Sequence, residues 1–286
     1  MNRCFTNTKR LAIYDDTYPN LLSGFRISEY NQYLREFKNS KVFSNTPKFK
    51  EYYHEYKQLY PKFASKVLPF LDDSLVNADL VYSIFLNNIY DAQFYIRAFK
   101  KKFIFTLYPG GGFHIDQPES DYKLKTVFSS PNFVKVIVTQ KITYEYLLKK
   151  NFCTKKQIEY IYAGVLPTEY FNTVMPKKNF YKQEKSTFDI CFVASKYMEG
   201  GLDKGFDLFV ETARSFAKKN NDFKFHIIGG FSKSDIKGSE IENIKFYGNR
   251  QLEFFPEFYA SMDLILSPNR PFTLAPGAFD GFPTGS

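Results

Sequence analysis

Short apolar segments rich in β-branched and aromatic residues alternate along the whole chain with segments whose apolar residues recur at helical spacing. This alternation is typical of α/β proteins with parallel sheets, because crossover helices must join successive parallel strands. In the first half it predicts strands at Leu11–Tyr14, Lys41–Ser44, Lys66–Phe70, Asp79–Phe85, Phe103–Leu107, Val134–Thr139 and Ile158–Tyr162. Helices are predicted between them at Arg26–Phe37, Phe49–Tyr60, Asn87–Phe99 and Ile142–Lys149. The first half is therefore predicted to be a doubly wound domain.

A polar, lysine-rich stretch separates this series from a second one. Residues Asn172–Lys185 follow Pro167, show no periodicity and contain Pro176, which is typical of an interdomain linker. Beyond it, strands are predicted at Phe188–Val193, Phe223–Ile228, Ile244–Tyr247 and Asp263–Leu266, with helices at Phe206–Lys219 and Gln251–Met262. The predicted N-terminal domain, linker and C-terminal domain are residues 1–166, 167–187 and 188–286. Two such domains place a ligand cleft between the carboxyl ends of their sheets.

The composition of the chain limits which partners it is expected to bind and in which cellular compartment it is expected to occur. The 286 residues carry a formal net charge of +9, which favours anionic partners such as nucleotide-sugars or acidic lipid headgroups, or describes a solvated basic surface. The lysines are dispersed and no basic arm, zinc-finger spacing or RNA-binding motif occurs, so we expect no nucleic-acid partner. Three dispersed cysteines, three histidines and the absence of a spanning or signal segment predict a cytoplasmic protein without disulfides or a metal site.

The most informative stretch for chemistry begins the second domain. The strand that ends at Val193 is followed by a loop containing Gly200 and Gly201, and Lys204 stands in the first turn of the next helix. Unpaired N–H groups and the helix dipole favour an anion there, and a lysine adds a full charge for a diphosphate. Lys196, just after the strand, is a second candidate contact. Both lysines also fit ordinary solvated loop side chains, which are the commoner case.

The order of the later segments resembles the donor domain of family 4 glycosyltransferases. The landmarks are the Lys-Gly pair at Lys204, then Phe225–Gly230, Ile244–Gly248, Tyr259–Pro268 and Phe279–Gly285. In addition, Gly164-Val165 resembles that family's interdomain Gly-Val signature. The resemblance is specific over Phe188–Ser286, about a third of the chain, and looser over the first half. It implies a GT-B fold with two Rossmann-like domains facing a central cleft, retention of anomeric configuration and no metal requirement.

The same resemblance assigns roles to individual residues. Lys204 would hold the donor diphosphate, and Asp280 stands where the family has the first glutamate of its Glu-x7-Glu motif, which reads the donor sugar. Gly281 and Phe282 would offer backbone amides to the sugar. The strand-end loop Tyr247-Gly248-Asn249-Arg250 would border the nucleotide base, with Gly248 and Asn249 as the candidate contacts.

Two departures from the family pattern affect these assignments. Ala194-Ser195-Lys196 replaces the usual Gly-Arg, so Lys196 is interpreted as a substitute for the arginine. The second glutamate of the motif would fall just past Ser286. We therefore expect the second domain to be incomplete and the 286-residue chain to be a poor catalyst by itself.

Two loops of the first half carry the acceptor-side candidates. The glycine-rich loop after Leu107 permits either close approach of a ligand or a strained turn, and its His114 and Asp116 are either acceptor contacts or exposed loop residues. The loop containing Gly24 resembles the family's first glycine loop, which faces the donor phosphates. Arg26 either joins those phosphates or pairs with Glu29 on the same helix face.

Together these observations predict a retaining glycosyltransferase that moves a sugar from a nucleotide-diphosphate donor to a glycan or lipid-linked acceptor. Surface polysaccharide synthesis at the inner face of an anionic membrane is the expected setting. Two alternatives stay open: a nucleotide-sugar 2-epimerase of the same fold and a catalytically inactive partner subunit. The Lys204-Gly205 pair and the run from Asp280 to Gly285 favour transfer over epimerisation.

Overall fold

The computed structural model describes residues 9–162, 181–238 and 241–280. The chain divides into two compact units, Met1–Leu166 and Pro167–Ser286, which we describe one at a time. Gly164 and Val165, most of the predicted linker, and the candidates Gly281 and Phe282 lie outside the described residues.

A parallel sheet forms the centre of the first unit. Its seven strands within residues 9–162 are β1 Leu11–Asp15, β2 Lys41–Ser44, β3 Val67–Pro69, β4 Leu80–Ile84, β5 Phe103–Leu107, β6 Phe133–Val138 and β7 Ile158–Tyr160. They are ordered β3-β2-β1-β4-β5-β6-β7, and every adjacent pair is parallel. The strand order reverses between β1 and β4, which is the topological switch point at which doubly wound sheets bind ligands.

Helices connect these strands. In the first unit they are α1 Gly24–Glu36, α2 Phe49–Leu59, α3 Pro61–Ala64, α4 Leu86–Asp91, α5 Gln93–Ala98, α6 Pro118–Phe128 and α7 Lys141–Lys149. The single helix predicted at Asn87–Phe99 is instead two helices, α4 and α5, that meet at Ala92. Every residue of β1 and of β4 is buried, which explains their unbroken apolar character.

The second unit repeats this architecture on a smaller scale. Its described elements are β8 Phe188–Val193, α8 Phe206–Ala217, β9 Phe223–Ile228, β10 Ile244–Gly248, α9 Phe255–Ala260 and β11 Leu264–Ile265. The parallel sheet has the order β10-β9-β8-β11, so its strand order reverses between β8 and β11. Phe206, Phe209 and Val210 of α8 are buried against apolar residues of β8 and β9, as their helical spacing predicts.

The predicted α/β class with two doubly wound sheets is confirmed, and every predicted strand has a counterpart. Among the described residues, no helix has both the length and the apolar character needed to span a bilayer.

Candidate functional site

The loops at the carboxyl edge of the second sheet bring several predicted residues together. Lys196 follows β8, Gly230 follows β9 and Asn249 follows β10. A Cβ atom placed on Gly230 would lie 3.6 Å from Cβ of Lys196 and 4.0 Å from Oδ1 of Asn249. Three loops that are distant in sequence therefore meet at the carboxyl edge of β8, β9 and β10, and the loop after β8 borders the switch point at which a doubly wound domain binds its ligand.

The start of α8 is fixed against the loop that follows β11. The chain reaches α8 through the short 3-10 segment Glu199–Lys204 and then Gly205, whose φ of 69° lies in the left-handed region. A Cβ atom on Gly205 would lie 2.0 Å from the carbonyl oxygen of Pro268. Only glycine allows this contact, because any side chain would overlap the Pro268 carbonyl. The contact holds Lys204 at the switch point between β8 and β11.

Lys204 is a buried cation at this position. Its side chain is 9% exposed, and Nζ lies 2.5 Å from Oδ1 of Asp280 and 4.8 Å from the ring centre of Tyr197. Lysines are rarely this buried unless they are paired. Lys204 is thus not the solvated loop lysine that the local sequence also allowed. The structure brings together two of the residues that the sequence predicted for donor binding, Lys204 and Asp280.

Asp203 adds a second carboxylate, which is not among the residues that the sequence predicts for the site. It is 3% exposed, and its Oδ1 has no hydrogen-bond partner among the described residues. Burial raises the pKa of Asp203, the positive charge of Lys204 opposes that rise and the charge of Asp280 adds to it. The sequence does contain a signal for Asp203 as a site residue, because Asp203 immediately precedes Lys204 in the same tight turn.

Lys196 also has a carboxylate partner. Its Nζ lies 2.6 Å from Oδ1 of Asp235, and its side chain is 27% exposed. Burial raises the pKa of Asp235, but the hydrogen bonds from Lys196 and Ser232 and the positive charge of Lys196 together outweigh this effect and leave the pKa below its ordinary value. The two candidate phosphate ligands of the second unit are therefore both paired with aspartates.

Arg26 occupies the switch point of the first sheet. Its Nε lies 3.0 Å from Oδ2 of Asp15, which is fully buried, and its terminal nitrogen lies 3.2 Å from Oδ1 of Asp16. The guanidinium also lies 5.0 Å from the ring centre of Phe85. The alternative that paired Arg26 with Glu29 is wrong, because the end of β1 supplies nearer carboxylates. Gly24, the other candidate of this loop, is the first residue of α1.

The carboxylate of Glu29 lies in a different cluster, which consists of buried tyrosine hydroxyl groups. It is 1% exposed and accepts hydrogen bonds from the hydroxyl groups of Tyr33 at 3.2 Å, Tyr108 at 2.9 Å and Tyr82. Burial raises the pKa of Glu29, and the hydrogen bonds from Tyr82, Tyr108 and Tyr33 oppose the rise. This arrangement satisfies a buried acid within the core, as buried charged groups require.

The glycine-rich loop after β5 packs on the start of α4. A Cβ atom on Gly112, whose φ is 89°, would lie 2.0 Å from Oδ1 of Asn87. Close packing within the unit therefore accounts for this glycine. The backbone N–H of His114 donates to Oγ of Ser120 at 3.0 Å, and Asp116 forms an ion pair of 2.7 Å with Lys150. The half-buried His114 stays at the carboxyl edge of β5, near the start of α6.

Two parallel, doubly wound units in one chain are the architecture of the GT-B type of fold. No protein-family model and no curated protein sequence matches the chain. Solved structures do match it in shape over most of its length. They include HepE from Anabaena in complex with UDP-glucose, with a TM-score of 0.63, 13% identity and coverage of 92% of this chain and 75% of HepE.

Two further matching structures are glycosyltransferases. A glycosyltransferase from Rickettsia africae has a TM-score of 0.62 and 15% identity, with 92% of this chain and 74% of that chain covered. The lipopolysaccharide outer core galactosyltransferase WaaB has a TM-score of 0.52 and 12% identity, with coverage of 91% and 74%. At these identities the similarity establishes the fold.

Proposed function

We propose that this chain is a retaining glycosyltransferase that transfers a sugar from a nucleoside-diphosphate donor to a glycan or lipid-linked acceptor in surface polysaccharide synthesis. The observation that supports the proposal is the buried Lys204, two residues before α8, paired with Asp280 at the switch point of the second sheet. A buried cation beside the N–H groups of a helix start is suited to a diphosphate.

The solved structures of the same fold support this choice of substrate and reaction. HepE is in complex with UDP-glucose, and WaaB is a galactosyltransferase of the lipopolysaccharide outer core. A donor of the same chemical class suits the cations at the carboxyl edge of the second sheet in this chain.

The mechanism follows from where charge develops. Cleavage of the bond between the anomeric carbon and the donor oxygen leaves negative charge on the departing nucleoside diphosphate. Lys204, the first N–H groups of α8 and Lys196 stabilise that charge, so they lower the barrier to cleavage. Because the protein supplies these positive groups itself, the proposal requires no metal ion, and we expect product formation to persist in the presence of a chelator.

The remaining candidates divide between the donor and the acceptor. Once the ammonium group of Lys204 binds the donor phosphate instead of Asp280, the carboxylate of Asp280 accepts hydrogen bonds from hydroxyl groups of the donor sugar. The backbone amides of Gly281 and Phe282 bind the same sugar. Gly248 and Asn249 border the base. From the first unit we assign His114 to the acceptor, and Gly24 and Arg26 to the loop that faces the donor phosphates. The net charge of +9 also favours peripheral association of the chain with the cytoplasmic face of an anionic membrane.

A product assay tests the proposal. The chain is incubated with a panel of labelled nucleotide-sugars and membrane lipid acceptors, and the products are separated and examined by NMR. We expect a labelled glycolipid or glycan with the anomeric configuration of the donor. Isomerised nucleotide-sugar without transfer would instead identify an epimerase, and donor binding without turnover would identify an inactive partner subunit. Failure to bind any nucleotide-sugar would contradict the proposal.

A further inference from the structure

The ends of α5 and α6, with the loops that lead into β5 and β6, form one continuous surface of the first unit. We call it the α5–α6 surface and define it by Phe94, Arg97, Lys100, Lys125 and Asn132. A terminal guanidinium nitrogen of Arg97 donates to the carbonyl oxygen of Thr126 at 3.1 Å, which joins the two helices. A shallow depression in this surface is lined by Arg97, Lys100, Ser129, Pro131 and Asn132.

The α5–α6 surface is positively charged. The segments Ala92–Phe105 and Tyr122–Val136 contain cations but no aspartate or glutamate. Two of the cations are neutralised by acids from outside these segments, Lys123 by Glu119 and Lys135 by Glu159. Within the described ranges, the exposed residues Arg97, Lys100 and Lys125 form no ion pair. Their charge is therefore available to an anionic partner.

An exposed aromatic ring lies beside these cations. Phe94 is 74% exposed, which is the largest value for a bulky apolar side chain among the described residues. It precedes Arg97 by three positions on α5, so the ring and the guanidinium share one face of the helix. On α6, Tyr122 is 62% exposed and precedes Lys125 by the same spacing. Both helices thus pair an exposed ring with a cation one turn further on.

We infer that the α5–α6 surface docks on an anionic lipid membrane. Arg97 and Lys100 contact lipid phosphate in the depression that they line, and the Phe94 ring enters the boundary between headgroups and acyl chains. The cations match the anionic headgroups, and the neighbouring ring, which has no polar atoms, matches the acyl chains just below them. A nucleic-acid strand suits this surface less well, because the cations form one cluster around a depression and not a groove that follows a backbone.

The inference specifies the surface for the membrane association in the proposed function, and its test needs no sugar transfer. The chain contains no tryptophan, so Phe94→Trp gives a single reporter. We expect its fluorescence to shift to shorter wavelength with phosphatidylcholine vesicles that contain phosphatidylglycerol, and not with phosphatidylcholine alone. Salt should reverse the shift. Leu208→Trp, on the exposed side of α8, is the matched control and should not shift.

A pair of charge variants separates this surface from general electrostatic attraction. Arg97→Gln/Lys100→Gln and the control Lys50→Gln/Lys57→Gln on α2 each lower the formal net charge from +9 to +7. We expect the first pair to weaken co-sedimentation with anionic vesicles roughly tenfold or more, and the control to stay close to the parent chain. Thermal unfolding confirms that each variant is folded.

Three results would overturn the inference: equal weakening by both pairs, unshifted fluorescence of the Phe94→Trp variant on bound vesicles, or a shift with an RNA oligonucleotide but not with vesicles. Nucleotide binding is measured on the same variants. Loss of vesicle binding with intact nucleotide binding leaves the donor proposal standing, and the reverse result would contradict only the donor proposal.

Discussion

Nζ of Lys204 lies 2.5 Å from Oδ1 of Asp280, and this ion pair joins two residues that are 76 positions apart in the sequence. The lysine side chain is 9% exposed and the aspartate side chain 30%. Removing an ammonium group from water is costly unless a counter-charge accompanies it, so Asp280 stabilises the charged lysine. We therefore expect a donor diphosphate to bind by exchange, with its phosphate oxygens replacing the carboxylate of Asp280 at Lys204.

The first prediction concerns Lys204→Ala. Loss of a charge-assisted contact should cost roughly 1.5–3 kcal/mol, or about ten- to a hundredfold in affinity for a nucleoside diphosphate. Isothermal titration calorimetry provides the measurement. Lys218→Ala, an exposed lysine just after α8, serves as the matched control and should bind as the parent chain does. Unchanged affinity in a folded Lys204→Ala variant would contradict the assignment.

The variant Asp280→Asn should distinguish the contribution of Asp280 to phosphate binding from its contribution to sugar binding. Because the variant removes the competing carboxylate from Lys204, we expect tighter binding of the nucleoside diphosphate. The complete nucleotide-sugar should lose affinity relative to the diphosphate, since the amide is a poorer acceptor for sugar hydroxyl groups. Calorimetric titrations with both ligands measure the two effects. If both affinities changed in the same direction and by the same factor, Asp280 would not have the proposed double role.

Two glycines of one turn test the packing of Gly205 on Pro268. Gly200 and Gly205 have nearly equal φ values of 65° and 69°, but nothing lies within 4 Å of a Cβ atom on Gly200. Gly200→Ala should therefore cost about 1–2 kcal/mol of unfolding free energy, from backbone strain alone. Gly205→Ala should cost clearly more and should also weaken nucleotide binding, because Lys204 must move with the turn. Urea unfolding measures the first quantity, and equal costs would contradict the packing argument.

His226 provides a pH-dependent contribution to stability. Its Nε2 lies 2.7 Å from Oδ1 of Asp189, and its Nδ1 lies 3.0 Å from the hydroxyl group of Tyr247. Burial lowers the pKa of His226 below 6.5, although the hydrogen bond to Asp189 opposes this shift. Below pH 6.5 the unfolded chain therefore binds more protons than the folded chain, and stability falls as the pH decreases.

The measurement for this fourth prediction is thermal unfolding at neutral and mildly acidic pH. His226→Gln should lose less stability between the two conditions than the parent chain, because it cannot take up the proton. His54→Gln, which changes an exposed histidine of α2, controls for the general effect of losing one histidine. Equal losses in the parent chain and in His226→Gln would contradict the prediction.

The sequence was sufficient for the central strands of the first sheet because both faces of these strands are covered. A strand buried on both faces appears as a continuous apolar run, and β1 and β4 are buried at every residue. Helix α6 was not predicted, since its exposed, charged residues conceal the buried Leu124, Val127 and Phe128. Pro118 and Glu119 at its start were nevertheless usable signals, as proline and acidic residues favour the first turn of a helix.

The candidate site was only partly predictable, for a different reason. Local pattern places Lys204 at a helix start, but it cannot show that the lysine is buried or that Asp280 reaches it. The pairing of Lys196 with Asp235 likewise links two loops 39 positions apart. Such contacts depend on how the strands are ordered in the sheet, and no short-range spacing records that order.

The position of Arg26 between Asp15 and Asp16 determines the local net charge at the end of β1. Two carboxylates around one guanidinium leave the end of β1 with an excess of one negative charge. A donor phosphate that approaches Arg26 must therefore displace one aspartate and overcome repulsion from the other, so the end of β1 selects against anions that bind only weakly.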